Sequence, residues 1–201
     1  GVASLLLLGG QGSDGAALGD VWCSVQGGAA WERLTKAAPW QGRCWASVVA
    51  LANGSILLLG GVGIDGRLLS DVWRSDDGCQ SWGQLAEAAP WPARRGHSAV
   101  ALADGSVLLL GGIGPAGAPL ADVWRSEDLG ATWVRLSEAA WPPRCDHGTA
   151  VLPGDEVLML AGTGADGGAR ADVWRSRDGG MSWGQLRPRT LRAATRPTLQ
   201  G

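Results

Sequence analysis

Residues that could do chemistry recur in this chain about every fifty positions. His97 and His147, its two histidines, stand 50 residues apart, and imidazole is a common metal ligand. No acidic residue repeats beside them, because Asp146 has no counterpart next to His97. Equivalent positions of adjacent repeats are also typically too far apart for a pair of ligands. We therefore predict that each imidazole bonds to a neighbouring loop, and that the chain has neither a metal site nor a cofactor.

A tryptophan and an arginine recur three residues apart in three successive segments. Arginine and tryptophan are enriched at binding hot spots, and a guanidinium can hold a carboxylate through two hydrogen bonds. One interpretation is a ligand face with partly exposed guanidinium groups. In the other, each arginine pairs with a repeating aspartate and each tryptophan packs between repeats. The ligand-face candidates are Trp40, Trp91, Trp141, Arg43, Arg94, Arg95, Arg144, His97 and His147, and the aspartates are Asp20, Asp71, Asp122 and Asp172.

The other reactive residue types point away from catalysis by this chain. The chain has twelve tryptophans but no tyrosine and no phenylalanine. No tyrosine of this chain can therefore act as a nucleophile or a metal ligand. The four cysteines form no Cys-x-x-Cys pair, and we predict buried free thiols rather than a disulfide framework. They are Cys23, Cys44, Cys79 and Cys145.

A short turn of the form Ser-x-Asp-x-Gly-x-Thr/Ser-Trp is complete at 126–133 and 176–183. The aspartate can accept backbone N–H bonds within the turn, while the glycine supplies a positive φ. At 75–82 Cys79 takes the glycine position, and at 24–31 Gln26 replaces the aspartate. We predict a structural role for the residues of the three fuller copies, Ser75, Asp77, Ser126, Asp128, Gly130, Ser176, Asp178 and Gly180.

These motifs belong to a repeat that fills most of the chain. Asp-Val-Trp occurs at 20–22, 71–73, 122–124 and 172–174, and a small-residue pair keeps the same period, at 9–10, 60–61, 111–112 and 161–162. A period of 40–50 residues is typical of propellers and solenoids. Within one repeat, short apolar runs alternate with Asp-Gly turns and glycine pairs, which indicates four strands and no helix. The predicted fold class is all-β.

The stretch from Arg94 to Gly112, with Asp122-Val123 and Trp133 after it, resembles the kelch repeat, and the Ser-x-Asp turns resemble the Asp-box hairpin. The resemblance implies a kelch-type β-propeller with four repeats of about fifty residues, folded as four-stranded antiparallel blades. Residues 1–186 would form four blades, the first lacking its innermost strand. Residues 187–201 would be a basic tail, a candidate closing strand. The Asp-box turns would lie away from the ligand face.

The charge distribution bears on the partner. The net charge is −2, and the tail holds four arginines (187, 189, 192 and 196) without an acid, so the rest of the chain is more acidic still. An acidic body argues against binding nucleic acid, and no apolar run is long enough to span a membrane. The function predicted is a non-catalytic interaction or scaffold domain that presents propeller loops to a protein or glycan. The alternative is part of a carbohydrate-active enzyme, sialidase-like or sugar epimerase-like, with its catalytic residues outside this chain.

Overall fold

The computed structural model describes residues 4–136 and 138–187. Within those residues every regular element is a β-strand, and all ladders are antiparallel, which confirms the all-β prediction. No helix in the described part is long and apolar enough to cross a membrane. The predicted closing strand would fall in the tail, which lies outside the described residues apart from Arg187.

The strands form four sheets in chain order. The first sheet has three strands, β1 (Leu5–Gln11), β2 (Ala17–Ser24) and β3 (Glu32–Thr35). The second consists of β4 (Arg43–Cys44), β5 (Ser47–Ala50), β6 (Ile56–Gly63), β7 (Leu68–Ser75) and β8 (Gly83–Ala86), with β4 and β5 both pairing β6. The third consists of β9 (Ser98–Ala101), β10 (Val107–Leu110), β11 (Val123–Ser126) and β12 (Val134–Arg135).

The fourth sheet repeats this order. Its strands are β14 (Gly148–Leu152), β15 (Glu156–Leu160), β17 (Val173–Ser176) and β18 (Gly184–Leu186). A short ladder beside it joins β13 (Arg144–Cys145) to β16 (Thr163–Gly164). Strand pairing keeps the period of the sequence, because Leu58 lies opposite Trp73, Leu109 opposite Trp124 and Met159 opposite Trp174.

The hydrophobic core consists of three layers, one between each pair of consecutive sheets. Successive side chains of a strand point to opposite faces of its sheet. In β6, Ile56 and Leu58 therefore pack with the first sheet, while Leu57 and Leu59 pack with the third. This explains why a continuous apolar run, rather than an alternating one, forms the second strand of each full sheet.

Neighbouring sheets also meet at their innermost strands. The Ala99 N–H of β9 donates to the Ser47 hydroxyl of β5, at 2.9 Å, and the hydroxyls of Ser98 and Thr149 bond β9 to β14. The four sheets are therefore consecutive layers whose equivalent loops lie on the same side, so that residues one period apart become neighbours.

Candidate functional site

The Ser-x-Asp turns close the outer hairpin of each full sheet. Gly130 N–H donates to the Ser126 hydroxyl, at 2.8 Å, and Ser126 in turn donates to Asp128. The same carboxylate accepts from the backbone and hydroxyl of Thr132, and the Trp133 indole donates to the Gly130 carbonyl. These bonds recur at Ser176, Asp178, Gly180 and Trp183. The carboxylate and hydroxyl groups are thus used inside the turn.

The turn at 75–82 keeps the aspartate but contains Cys79 where the two complete turns have glycine. Cys79 adopts a φ of 70° and is buried, and its N–H still donates to the Ser75 hydroxyl. Asp77 accepts from the Ser81 hydroxyl and backbone N–H, and these bonds lower the pKa of Asp77 to about 2. Burial raises the pKa of the Cys79 thiol to about 11, so this thiol is protonated at neutral pH. All four cysteines are free thiols.

The three arginines of the Trp-x-x-Arg segments are buried rather than exposed. Arg94 holds Asp122 through two hydrogen bonds of 2.8 and 2.7 Å, and its Nη1 also donates to the Gly111 carbonyl. Arg43 makes the same contacts with Asp71 and the Gly60 carbonyl. Arg144 makes them with Asp172 and the Ala161 carbonyl.

Of the two interpretations that the sequence left open, the structure contains the internal ion pairs and not the exposed guanidinium groups. Each guanidinium donates to an aspartate 28 residues further along the chain and to a backbone carbonyl 17 residues further along. Desolvation makes a buried guanidinium costly unless it is paired in this way. The Arg144 bond lowers the pKa of Asp172 to about 2, which keeps that carboxylate ionised.

The tryptophans of the same segments lie at the same junctions. Trp40, Trp91 and Trp141 are buried, and each packs edge-to-face against the turn tryptophan of the next sheet, with ring centroids 6.0–6.3 Å apart. We call each such junction a clasp. It comprises the Trp-x-x-Arg of one repeat and, in the next sheet, the aspartate, the small-pair carbonyl and the turn tryptophan. The clasp tryptophans are inter-sheet packing, the alternative that the sequence left open.

The prediction that each imidazole bonds to a neighbouring loop is wrong, because in the described part of the chain the ring nitrogens of His97 and His147 are buried without such a hydrogen bond. His97 and His147 are buried and lie 6.3 Å from Trp91 and Trp141 respectively, measured between ring centroids. Burial lowers the pKa of His97 to about 3 and that of His147 to about 4, so both imidazoles are neutral at pH 7. In the described part of the chain, no three His, Cys, Asp or Glu side chains converge as a metal site would require.

A different set of residues lines the loop side of the first two sheets. Trp45 is 49% exposed and Ile64 is 67% exposed, and both line an open cleft of about 470 Å³. Gln11, Asp14 and the segment around Gly63 complete its walls. The Arg95 guanidinium lies 5.0 Å from the centre of the Trp45 ring, a cation–π contact. Of the four predicted ligand-face arginines, only Arg95 is accessible to solvent.

Trp45 has an unusual backbone. Its φ is 52°, and the equivalent positions are Gly96, with a φ of 60°, and Asp146, with a φ of 53°. Gly96 N–H donates to the Trp45 carbonyl, and Asp146 N–H donates to the Gly96 carbonyl. Glycine and aspartate tolerate this left-handed conformation, whereas a bulky aromatic residue pays for it in strain. Trp45 therefore carries a backbone strain that the glycine at the equivalent position of the next repeat avoids.

Trp45 and Ile64 were not among the residues predicted from the sequence. Eleven of the twelve tryptophans fall into three series with the period of the repeat, and Trp45 is the remaining one. The sequence therefore marks Trp45 as the one tryptophan that departs from the repeat. Conversely, the residues that recur most regularly proved to be those that hold the sheets together.

Comparison with known proteins gives one partial similarity. The chain is 33% identical, over an alignment of 144 positions, to tRNA wybutosine-synthesizing protein 4 from Emericella nidulans. The alignment covers 67% of this chain but 12% of that protein. No protein-family model matches the chain.

Proposed function

We propose that this chain is a kelch-type β-propeller unit of four blades that acts as a non-catalytic interaction domain. Four sheets in phase, the glycine pairs and the Ser-x-Asp hairpins support this architecture. The observation that carries the function is Trp45, a half-exposed aromatic side chain held in a strained conformation beside Arg95. Arg43, Arg94 and Arg144 are occupied in clasps, whereas Trp45 and Arg95 remain accessible beside this cleft.

The cleft suits a protein segment that carries an apolar side chain next to a carboxylate. Trp45 and Ile64 offer contiguous apolar surface, which an aliphatic or aromatic side chain covers more fully than a sugar ring does. Arg95, which stacks on the Trp45 ring beside the cleft, provides a half-buried cation for the carboxylate, whereas Asp14 is the charged residue on the cleft wall itself. A protein partner is therefore our proposal, and a glycan is the alternative that the experiment distinguishes.

The similarity to part of a much larger protein fits such a role. The aligned stretch is 12% of tRNA wybutosine-synthesizing protein 4, so it corresponds to a module and not to the whole of that protein. The net charge of −2 does not favour contact with RNA phosphates. We propose that the module serves protein contacts, and that any contact with tRNA belongs to other parts of such a protein.

The test is a binding screen with matched variants of the whole chain. Peptides with an apolar residue beside Asp or Glu, and a glycan array, are screened against wild type, Trp45→Ala and Arg95→Ala. Val134→Ala and Arg135→Ala serve as controls, because both residues are exposed on β12 at the outer edge of the third sheet. Loss of acidic-peptide binding in the cleft variants alone supports the proposal. Equal binding by cleft and control variants contradicts it, and binding of glycans alone assigns the cleft to sugars.

A further inference from the structure

The outward face of the first sheet has the same receiving groups as the three clasps. Asp20 accepts from the Trp22 indole at 2.8 Å, just as Asp71, Asp122 and Asp172 accept from their own tryptophans at 2.7 Å. Gly9 has a φ of 57°, against 53° for both Gly60 and Gly111. The backbone and the carboxylate are therefore arranged as in the filled clasps.

The Trp31 ring also lies where a clasp tryptophan would meet it. Its indole donates to the Gly28 carbonyl at 3.1 Å, the bond that Trp133 makes to Gly130 at 3.0 Å. Trp31 is nevertheless 42% exposed, whereas Trp133 is 6% exposed beneath Trp91. Its turn has kept the aromatic anchor although Gln26 replaces the aspartate.

No described residue fills this fourth receiving surface. Within 4–136 and 138–187, Asp20 forms no ion pair, and Arg33 stacks over the Trp22 ring, 5.5 Å from its centre, without bonding to Asp20. Leu7 is 53% exposed, while its counterpart Leu58 is fully buried. One oxygen of the Asp20 carboxylate and the apolar side chains of Leu7 and Trp31 are therefore accessible together, beside Gly9, which is itself buried.

We propose that this face, made of Leu7, Gly9, Asp20, Trp22 and Trp31, binds a polypeptide segment that carries tryptophan and arginine three residues apart. The three filled clasps show the chemistry of the fit: the guanidinium would bridge the Asp20 carboxylate and the Gly9 carbonyl, and the indole would pack edge-on against Trp31. The carboxylate and the basic segment are complementary in charge. This surface is distinct from the Trp45 cleft, and either can exist without the other.

The experiment uses the full chain labelled with 15N at its tryptophan indoles. The probe is an amidated peptide with the sequence of residues 87–94, Glu-Ala-Ala-Pro-Trp-Pro-Ala-Arg, and two variants of it with Arg94→Lys or Trp91→Ala. We expect saturable shifts of the Trp31 and Trp22 indole signals. Each variant peptide should bind at least about tenfold more weakly, because each lacks one half of the clasp.

Variants of the protein separate a site from non-specific attraction. Asp20→Asn should weaken peptide binding by at least about tenfold, whereas Glu127→Gln, at an exposed carboxylate on the third sheet, should leave it unchanged. The remaining indole signals report whether each variant is folded, and Trp31→Ala provides a second test of the surface. Equal binding by wild type and Asp20→Asn would overturn the proposal.

Two other occupants give distinct results. If the basic tail fills the face, the peptide binds a variant with Arg189, Arg192 and Arg196 all replaced by Ala but does not bind wild type. If a second copy fills it, the Trp31 signal shifts with protein concentration in the absence of peptide. Either result would overturn the assignment to a separate Trp-x-x-Arg segment.

Discussion

Arg94 has contacts that neither a shorter nor a differently shaped cation reproduces. Its guanidinium is fully buried and reaches both Asp122 oxygens and the Gly111 carbonyl. We expect Arg94→Met to lower the free energy of unfolding by about 3–5 kcal/mol, because an unpaired carboxylate is left behind. Arg135→Met is the control. Its exposed pair with Glu138 should be worth less than about 1 kcal/mol.

The double variant Arg94→Met/Asp122→Leu makes this prediction sharper. Removing both charges leaves no stranded carboxylate, so stability should recover by more than half of the loss in the single variant. Urea unfolding of wild type, Arg94→Met, Arg135→Met and the double variant measures these differences. A double variant no more stable than Arg94→Met would show that the loss reflects packing, not the ion pair.

The histidines give the protein a dependence on acid that begins near neutrality. Their folded-state pKa values, about 3 for His97 and about 4 for His147, lie below the ordinary value, so the unfolded chain takes up protons first as the pH falls. The contribution of the neutral histidines to the free energy of unfolding is fully present above about pH 6.5. Toward pH 4 it declines by up to about 1.4 kcal/mol per pH unit for each histidine. Unfolding in urea at pH 7, 6, 5 and 4 measures this slope. The double variant His97→Gln/His147→Gln should largely abolish the slope over this range, and an unchanged slope would contradict the assignment.

At the scale of the strands, the glycine pairs set how closely adjacent segments approach. A Cβ atom on Gly111 would lie 2.8 Å from the Arg144 carbonyl oxygen and 3.0 Å from the His147 ring. Gly117 also has a positive φ, but a Cβ atom there meets nothing within 4 Å. We expect Gly117→Ala to cost about 1 kcal/mol through backbone strain alone. Gly111→Ala should cost at least about 1 kcal/mol more, through overpacking. Thermal or urea unfolding of the two variants compares them, and equal costs would show that the close approach is easily relieved.

Much of the fold could be predicted because its elements are local and repeated. Asp-Gly turns, continuous apolar runs such as Val107–Leu110 and glycine pairs fix strands without reference to distant residues. The partners of Arg43, Arg94 and Arg144 could not be chosen from the sequence, because each aspartate lies 28 residues further along the chain and its contact depends on how the segments fold together. The exposure and backbone angle of Trp45 depend on how the loops of neighbouring sheets pack, so the sequence showed only that Trp45 stands outside the three tryptophan series.

For the molecule as a whole, the layered core predicts a gradient of stability. Strands β6 and β10 have both faces covered, whereas the outward face of β1 leaves Leu5 and Leu7 about half exposed. Each repeat draws stability from its neighbours, as in other repeat proteins. We expect backbone amides of β1 to exchange with deuterium at least about tenfold faster than those of β10, which mass spectrometry resolves. Uniform exchange across all four sheets would mean that the molecule opens as one unit.

Every clasp points the same way along the chain, and this gives the molecule a direction. The tryptophan and arginine always leave one repeat, and the aspartate always belongs to the following one. Two unlike surfaces therefore meet, so a clasp cannot lie on a two-fold axis that relates identical partners. Any assembly that used this joint between molecules would be head-to-tail, a closed ring or an open fibre according to the angle between successive members. A symmetrical dimer would have to be built from some other part of the surface.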